Sequence, residues 1–424
     1  MKKIAIISAA LLIGMTACTK DHTLQLTNPL AVDRPDETII VNRSMVEAKF
    51  GAVPEGFAPA LTLNGKQVPS QTDDLDGDGQ WDELAFTVDL KASETLDLEI
   101  LNVEVDQYPE FEKRTNVRLG IRQPDGTYPE VDQYIAPSCK DSFQIIAQGE
   151  SVSWENDKMG FRNYFDCRNV KDLFGKLQPG LIIDKIHTPE LLDYHKLSDW
   201  GMDVLHCGSS VGSGGLAMLE ADSLYRLGST DGYEYRKVTE GPVRSVFDLI
   251  YTGWNVAGES LSAVERISIY PGKYWFQSDV SVSGFTGEKQ IVTGIVTSML
   301  KNEPVEFEAN ADYHSIATLD LQSLNKDELG MAVLLKTDEV TKVARTTDIN
   351  FYNLGFKTVD SKKFSNVISE TYYVAQKISA DKPSRHYFFA VWGLENEKWK
   401  QLENFKSHIS SEADLLSNPI LINL

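Results

Sequence analysis

Apolar and polar residues alternate with a period of two through much of this chain, in short runs bounded by turn residues. Runs at 38–41, 60–63, 84–88 and 96–103 have this form, the pattern of half-buried strands. Asn64-Gly65 lies between two of these runs and supplies residues that tolerate positive φ, as a two-residue hairpin loop requires. Beyond residue 236 the runs lengthen, at 242–251, 262–270, 275–282 and 290–300, and then at 330–336, 371–376 and 386–392. In Asp279-Val-Ser-Val-Ser283 the valines take every second place, so one face of that strand is expected in a core and the other in water. Tyr270-Pro-Gly-Lys273 reads as a turn between two such strands. Helical spacing is confined to 171–174, 190–196 and 395–405, and no alternation of strands with helices supports a nucleotide-binding fold. The expected architecture is mostly β, with a small N-terminal β-sandwich module over 38–150 and a large antiparallel β-sandwich over 151–424.

The opening of the chain departs from this pattern. Lys2 and Lys3 precede an apolar run at 4–15, followed by Thr16, Ala17 and Cys18. A charged start, a short apolar stretch and small residues before a cysteine form a lipoprotein signal over 1–17, with Cys18 as the lipidated residue, although leucine is commoner than Met15 at its position. The run is too short for an ordinary spanning helix, and no later apolar stretch reaches the required length of about 20 residues. Residues 18–37, polar and broken by Pro29 and Pro35, are expected to be a tether. The expected location is the cell envelope, as an outer-membrane lipoprotein facing the periplasm or the cell surface.

Charge and cysteine usage narrow the function classes. A net charge of -21 leaves no basic surplus to neutralise phosphates, which argues against a nucleic-acid partner. Cys139, Cys167 and Cys207 form no Cys-x-x-Cys pair, so a zinc ribbon or redox motif is not expected, and a disulfide among them stays open. Ser213 sits in Val-Gly-Ser-Gly-Gly, whose flanks do not make a nucleophile elbow, and no His-Glu-x-x-His occurs. No organic cofactor is expected.

Two segments concentrate groups capable of chemistry. Asp74, Asp76, Asp78 and Asp82 alternate around Gly77 and Gly79, the arrangement of hard oxygen ligands for calcium, with Gln80 offering a carbonyl. Ala85 stands where an EF-hand has its bidentate Glu, so the expectation is a structural calcium loop short of a complete EF-hand, and a solvated acidic turn is the alternative. The segment 154–215 is dense in aromatic, acidic and basic residues: Trp154, Glu155, Asp157, Arg162, Tyr164, Arg168, Lys176, His195, Asp199, Trp200 and Asp203, followed by the glycine-rich run 208–215. Aromatic faces stack on sugar rings and Asp or Arg bonds hydroxyls, so the expected ligand is an oligosaccharide or polysaccharide. Glu155, Tyr164, His195 and Asp203 are the candidate catalytic groups. Trp154, Asp157, Arg162, Arg168, Lys176, Asp199 and Trp200 are the candidate substrate-binding groups. The segment is expected to fold as a loop-rich cover over the large sandwich, with the glycines letting amides approach a ligand. Each member also has a bland reading, as core aromatic, salt bridge or interior histidine.

Val68-Pro-Ser-Gln with the acidic loop, Trp154-Glu-Asn-Asp, Phe161-Arg-x-Tyr, Phe174-Gly-Lys, Tyr194-His and Asp199-Trp-Gly-Met-Asp203 together resemble the family known as domain of unknown function 4861. The resemblance spans residues 39–394. It implies an exported protein of bacteria that degrade plant and algal polysaccharides, and the joining of some members to unsaturated-uronyl hydrolase domains implies acidic glycans. The stretch 262–272 is similar to the large sandwich of galactose mutarotases and several lyases, a likeness that does not settle function. Two classes follow: an enzyme acting on oligosaccharides, by hydrolysis or by β-elimination and with uronates as the implied sugars, or a non-catalytic glycan-binding lipoprotein of an uptake system. For β-elimination, His195 or Tyr164 would be the base and Arg162 or Lys176 would stabilise the developing charge.

Overall fold

Alternation of buried and more accessible positions marks some strands of the protein, a computed structural model described over residues 22–137, 145–166, 168–228, 230–346 and 367–423. Thr23–Thr27 and Glu259–Ile269 alternate in this way, while other strands are buried along nearly their whole length. In strand Trp275–Ser283, Val280 and Val282 point into the core while Ser281 and Ser283 are exposed. The hairpin at Asn64-Gly65 forms as its sequence requires, with both residues at positive φ and Leu63 opposite Lys66.

A small N-terminal sandwich comprises a five-stranded sheet, ordered Leu421–Asn423, Thr23–Thr27, Thr95–Glu104, Phe57–Leu63 and Lys66–Gln67, and a three-stranded sheet of Arg34–Asn42, Glu83–Leu90 and Ser70–Asp73. Leu24, Leu26, Val41, Leu61, Phe86 and Leu98 belong to its core. The tether expectation fails here, because Leu24 and Leu26 alternate with polar residues and pair with both Thr95–Glu104 and the C-terminal strand. The boundary expected at residue 150 also moves. Strand Thr115–Arg118 pairs with Ser151–Asn156, and Gln133–Ala136 pairs with Gly232–Glu240, so both belong to the sheets of the large sandwich.

The large sandwich sets a nine-stranded antiparallel sheet against two five-stranded sheets, all sharing one core. The nine-stranded sheet is ordered Val305–Glu308, Tyr313–Asp320, Leu329–Lys336, Ser384–Trp392, Trp275–Ser283, Glu259–Ile269, Ser245–Val256, Gly232–Glu240 and Gln133–Ala136. One five-stranded sheet, hereafter the site sheet, is ordered Gly201–Asp203, Lys171–Lys176, Met159–Tyr164, Ser151–Asn156 and Thr115–Arg118. Trp154 and Phe161 stack at 5.8 Å, and both meet Phe276 of the nine-stranded sheet. The second five-stranded sheet continues this layer through a parallel bridge between Lys171 and Gly212.

Helical expectations fare unevenly. Residues 171–176 form a strand because they have partners on both sides, and 190–196 are turns. The third expectation is displaced: a short 3-10 turn Glu397–Lys400 leads into helix Leu402–Ser417. This helix buries Phe405, Ile409 and Ala413 and lies between the sandwiches. Its Glu412 accepts from Trp275 Nε1 (2.9 Å), and its Leu415 carbonyl accepts from Arg34 of the small sandwich.

Candidate functional site

Most of the site sheet is buried on both faces, which is the origin of its chemistry. Strand register puts Trp154, Phe161 and Leu173 on the face toward the core. The same register puts Glu155, Arg162, Tyr164, Asp172, Phe174, Lys176 and Asp203 on the opposite face, which residues 177–200 cover. Polar groups buried in this way must satisfy one another, and they do so in two clusters.

The first cluster is the Glu155–Lys176 pair. Both side chains are inaccessible and form an ion pair, while Lys176 Nζ also donates to the carbonyls of Asn156 (2.6 Å) and Gly180 (2.7 Å). Glu155 Oε1 accepts from the amides of Ile182 (2.7 Å) and Ile183 (2.8 Å). The pair therefore pins the start of the covering segment to the sheet. Neither residue bonds to the second cluster.

Arg162 centres the second cluster. Its Nε and Nη2 donate to Asp172 Oδ2 (3.0 and 2.6 Å), and Nη2 donates also to Asp203 Oδ2 (2.6 Å) and Tyr164 OH (2.9 Å). Nη1 is spent on the Gly149 carbonyl (3.3 Å) and Tyr194 OH (3.5 Å). Tyr164 OH donates to Asp172 Oδ2 (2.9 Å), and the guanidinium faces the rings of Tyr164, Phe174 and Tyr194. His195 stands at the solvent edge, more than half exposed, with Nε2 3.4 Å from Asp203 Oδ2 and its ring 4.3 Å from that of Tyr194. The Asp203 amide donates to the Tyr194 carbonyl (2.8 Å), which holds the covering segment where His195 meets the sheet.

One guanidinium serves two buried carboxylates, and they differ in how many donors they receive. Asp172 receives Arg162 twice, Tyr164 OH and its neighbouring Leu173 amide (2.8 Å). Asp203 receives Arg162 once and the Leu205 amide at 3.4 Å. Burial, reinforced by the Asp172 charge and opposed by Arg162, pushes the Asp203 carboxyl up to about 8. Partial burial, with the Arg162 charge behind it, lowers the His195 imidazole below its usual value. Burial thus favours the neutral form of both the imidazole and the carboxyl beside it.

The remaining expected residues lie elsewhere. Trp154 is a core residue packed on Phe161, Phe247 and Phe276. Asp157 accepts from Arg114 (2.5 Å) and the Gly272 amide (2.7 Å), so it links elements away from the cluster. Arg168 grips Asp166 and Glu150 and stacks at 4.1 Å on Tyr164, which makes it a wall of the Arg162 cluster. Asp199 is exposed, and Trp200 packs beside Phe174, Ile183, Ile186 and Tyr194. The glycine run is a seam and not a ligand cradle: a Cβ on Gly212 would lie 1.9 Å from the Lys171 carbonyl oxygen, and one on Gly214 would lie 2.7 Å from Phe388. Cys207 is a free thiol, while Cys18, Cys139 and Cys167 lie outside the described residues. Asp172, Tyr194 and Glu150 were not among the expected site residues. Strand parity with Arg162 would have found Asp172.

The acidic loop brings ligand oxygens of Asp74, Asp76 and Asp78 within 4.8 Å of one another. Asp74 also accepts from the amides of Gly77 and Gly79, both at positive φ. Asp82 does not join them, because its Oδ2 turns to the Leu75 amide (2.7 Å). Three of the four expected calcium ligands converge. No helix among the described residues is long and apolar enough to cross a membrane.

Comparison with known proteins decides the family, since the model of the domain of unknown function 4861 matches residues 26–422. The chain belongs to this family. A relative from Formosa agariphila, uncharacterized protein P7, is 27% identical over 430 residues, covering 96% of each chain. Among solved structures, a glycosyl hydrolase family 38 protein of Enterococcus faecalis is similar over 96% of this chain at 8% identity and a TM-score of 0.45. An α-mannosidase from Enterococcus faecalis V583 is similar at 9% identity and a TM-score of 0.44. The family member spans about half the length of these two structures, 47% and 46%. A putative aldose 1-epimerase from Klebsiella pneumoniae aligns over 72% of this chain and 97% of its own, at 8% identity and a TM-score of 0.31. All three likenesses are distant.

Proposed function

We propose that this protein is a carbohydrate-active enzyme that moves a proton at His195, acting on oligosaccharides by β-elimination. The observation that carries this reading is a half-exposed imidazole at the solvent edge with Nε2 3.4 Å from the buried Asp203 carboxyl, whose burial favours the protonated form. The imidazole can accept a proton at the solvent edge, while the buried Asp203 carboxyl beside it fixes the position of the ring. Hydrolysis requires two carboxylates flanking a scissile bond at about 5 to 9.5 Å. Asp172 and Asp203 instead converge on one nitrogen of Arg162, which disfavours it. In the elimination His195 removes the proton beside a uronate carboxyl, the electron pair forms the ring double bond, and the glycosidic oxygen leaves with a proton from solvent. Arg162 and Lys176 do not serve as carboxylate clamps in this scheme, since their donors are spent inside the protein. They position Asp203 and the covering segment.

The test incubates the purified protein with acidic oligosaccharides and follows the ultraviolet absorbance of the unsaturated product. His195→Ala should abolish turnover and leave sugar affinity nearly unchanged, because a proton-transfer group acts on the transition state. New reducing ends without the absorbance would establish hydrolysis. Sugar binding without any turnover would establish the glycan-binding alternative.

Two structural proposals accompany this one. The signal-like segment before Cys18 supports an envelope lipoprotein tethered through that residue, tested by palmitate labelling that Cys18→Ser abolishes. The convergence of Asp74, Asp76 and Asp78 supports a calcium ion bracing the small sandwich, without a part in the chemistry.

A further inference from the structure

The His195 cluster has spent its cations, yet a second region of the large sandwich has not. A groove of about 740 Å³ opens on the outer face of the nine-stranded sheet. The face is outward because Ala263, Ile267, Val280 and Val282 turn into the core, leaving Val264, Arg266, Asp279 and Ser281 on the other side. The core face of this sheet meets Trp154 and Phe161 of the site sheet, whose own outer face holds His195. The groove and the His195 cluster therefore lie on opposite sides of the sandwich.

Register draws a charged row across the groove floor. Asp248 pairs with Arg266, Arg266 with Asp279, and Asp279 with Arg385. Tyr313 pairs with Lys336 on the far side. Most of these charges cancel: Arg266 is bidentate on Asp248 (2.8 and 2.9 Å), and Lys382 at the rim bonds Glu339 (2.9 Å). Two cations remain available. Arg385 touches Asp279 through Nε alone (2.6 Å), and its two terminal nitrogens make no bond among the described residues. Lys336 has no carboxylate partner among the described residues and sits 4.0 Å over the Tyr313 ring. The hydroxyls of Tyr313 and Tyr387 likewise have no protein partner among the described residues, although both rings are buried. A chain of net charge -21 thus keeps a forked guanidinium edge, an ammonium and two phenols directed at one concavity.

We propose that this groove binds an anionic saccharide, its carboxylate or sulfate oxygens taken by Arg385 and Lys336 and its hydroxyls by Tyr313 and Tyr387. A guanidinium edge matches the planar oxygen pair of a carboxylate and equally the oxygens of a sulfate ester. The proposal does not depend on turnover at His195. Titration calorimetry on the full chain would compare trigalacturonate, sulfated galactotriose and neutral galactotriose. One acidic probe should bind at least about tenfold more tightly than the neutral one, and the tighter of the two identifies the charged group. Arg385→Gln and Lys336→Gln, both shown folded by circular dichroism, should each weaken that probe about tenfold. All titrations are run in the His195→Ala background, so that turnover of an acidic probe contributes no heat. Equal affinity for charged and neutral probes, no binding of any probe, or acidic binding that survives both glutamine variants would overturn the groove assignment.

Discussion

Removing the Lys176 ammonium tests whether the covering segment is held as the geometry requires. Lys176 Nζ uses its three protons on Glu155, the Asn156 carbonyl and the Gly180 carbonyl, all away from water. Lys176→Met keeps the stem volume and deletes the charge. It leaves a buried carboxylate with only the Ile182 and Ile183 amides, and two carbonyls with one donor fewer. Breaking one side of a buried pair costs about 3–5 kcal/mol, because the surviving charge stays uncompensated. Glu155→Gln should cost a similar amount, since it faces the ammonium with an amide and loses the charge balance. The double variant Glu155→Gln/Lys176→Met removes both charges, so its cost should fall short of the sum of the single costs by at least about 2 kcal/mol. Urea unfolding followed by circular dichroism gives the three values. Hydrogen exchange of peptides spanning 177–200 reads the segment directly and should accelerate in both single variants before global unfolding. Additive costs, or a Lys176→Met cost below about 1 kcal/mol with unchanged exchange, would show that the pair does not pin the segment.

Two further outcomes follow from the charge arrangement. Asp203 carries a folded-state pKa of about 8 against about 3.9 unfolded, so its contribution to stability is complete below pH 4 and is lost as pH rises through 8. Asp203→Asn should therefore flatten the stability profile between pH 4 and 8 and make the protein relatively more stable at pH 9, and an unchanged profile in urea titrations refutes the assignment of the proton. Calcium added after chelation should raise the melting temperature of the small sandwich, and Asp76→Asn/Asp78→Asn should abolish the increment; identical melting with and without calcium removes the metal from the loop.

Period-two patterning made the architecture of the large sandwich legible, because an antiparallel sheet with one wet face writes its burial into the sequence. Val280 and Val282 against Ser281 and Ser283 are the plainest case. The small sandwich was less legible at its edges. Thr23–Thr27 spans only five residues and finds its second partner at the far end of the chain, Leu421–Asn423, a pairing no local pattern announces. Residues 115–136, expected within the small module, join the large sandwich for a related reason: they look like strands, and nothing in a strand's own sequence names the sheet it joins.

The candidate site was half legible, and the failure has one physical cause. A strand buried on both faces, one by apolar core and the other by polar residues that satisfy each other, shows no contrast between wet and dry sides. Lys171–Lys176 is such a strand, fully buried although it contains two lysines and an aspartate, and its spacing passed for a short helix. Concentration of polar and aromatic types picks out Arg162, Tyr164, His195 and Asp203, which lie in contact. The same concentration swept in Trp154, which is core, and Lys176, which is a brace. Composition could not separate a cation that greets a ligand from one already spent on the protein; partner count does. Arg162 has its donors occupied and can only position Asp203. Arg385, exposed and bonded through a single nitrogen, retains the donors that an anionic sugar would need.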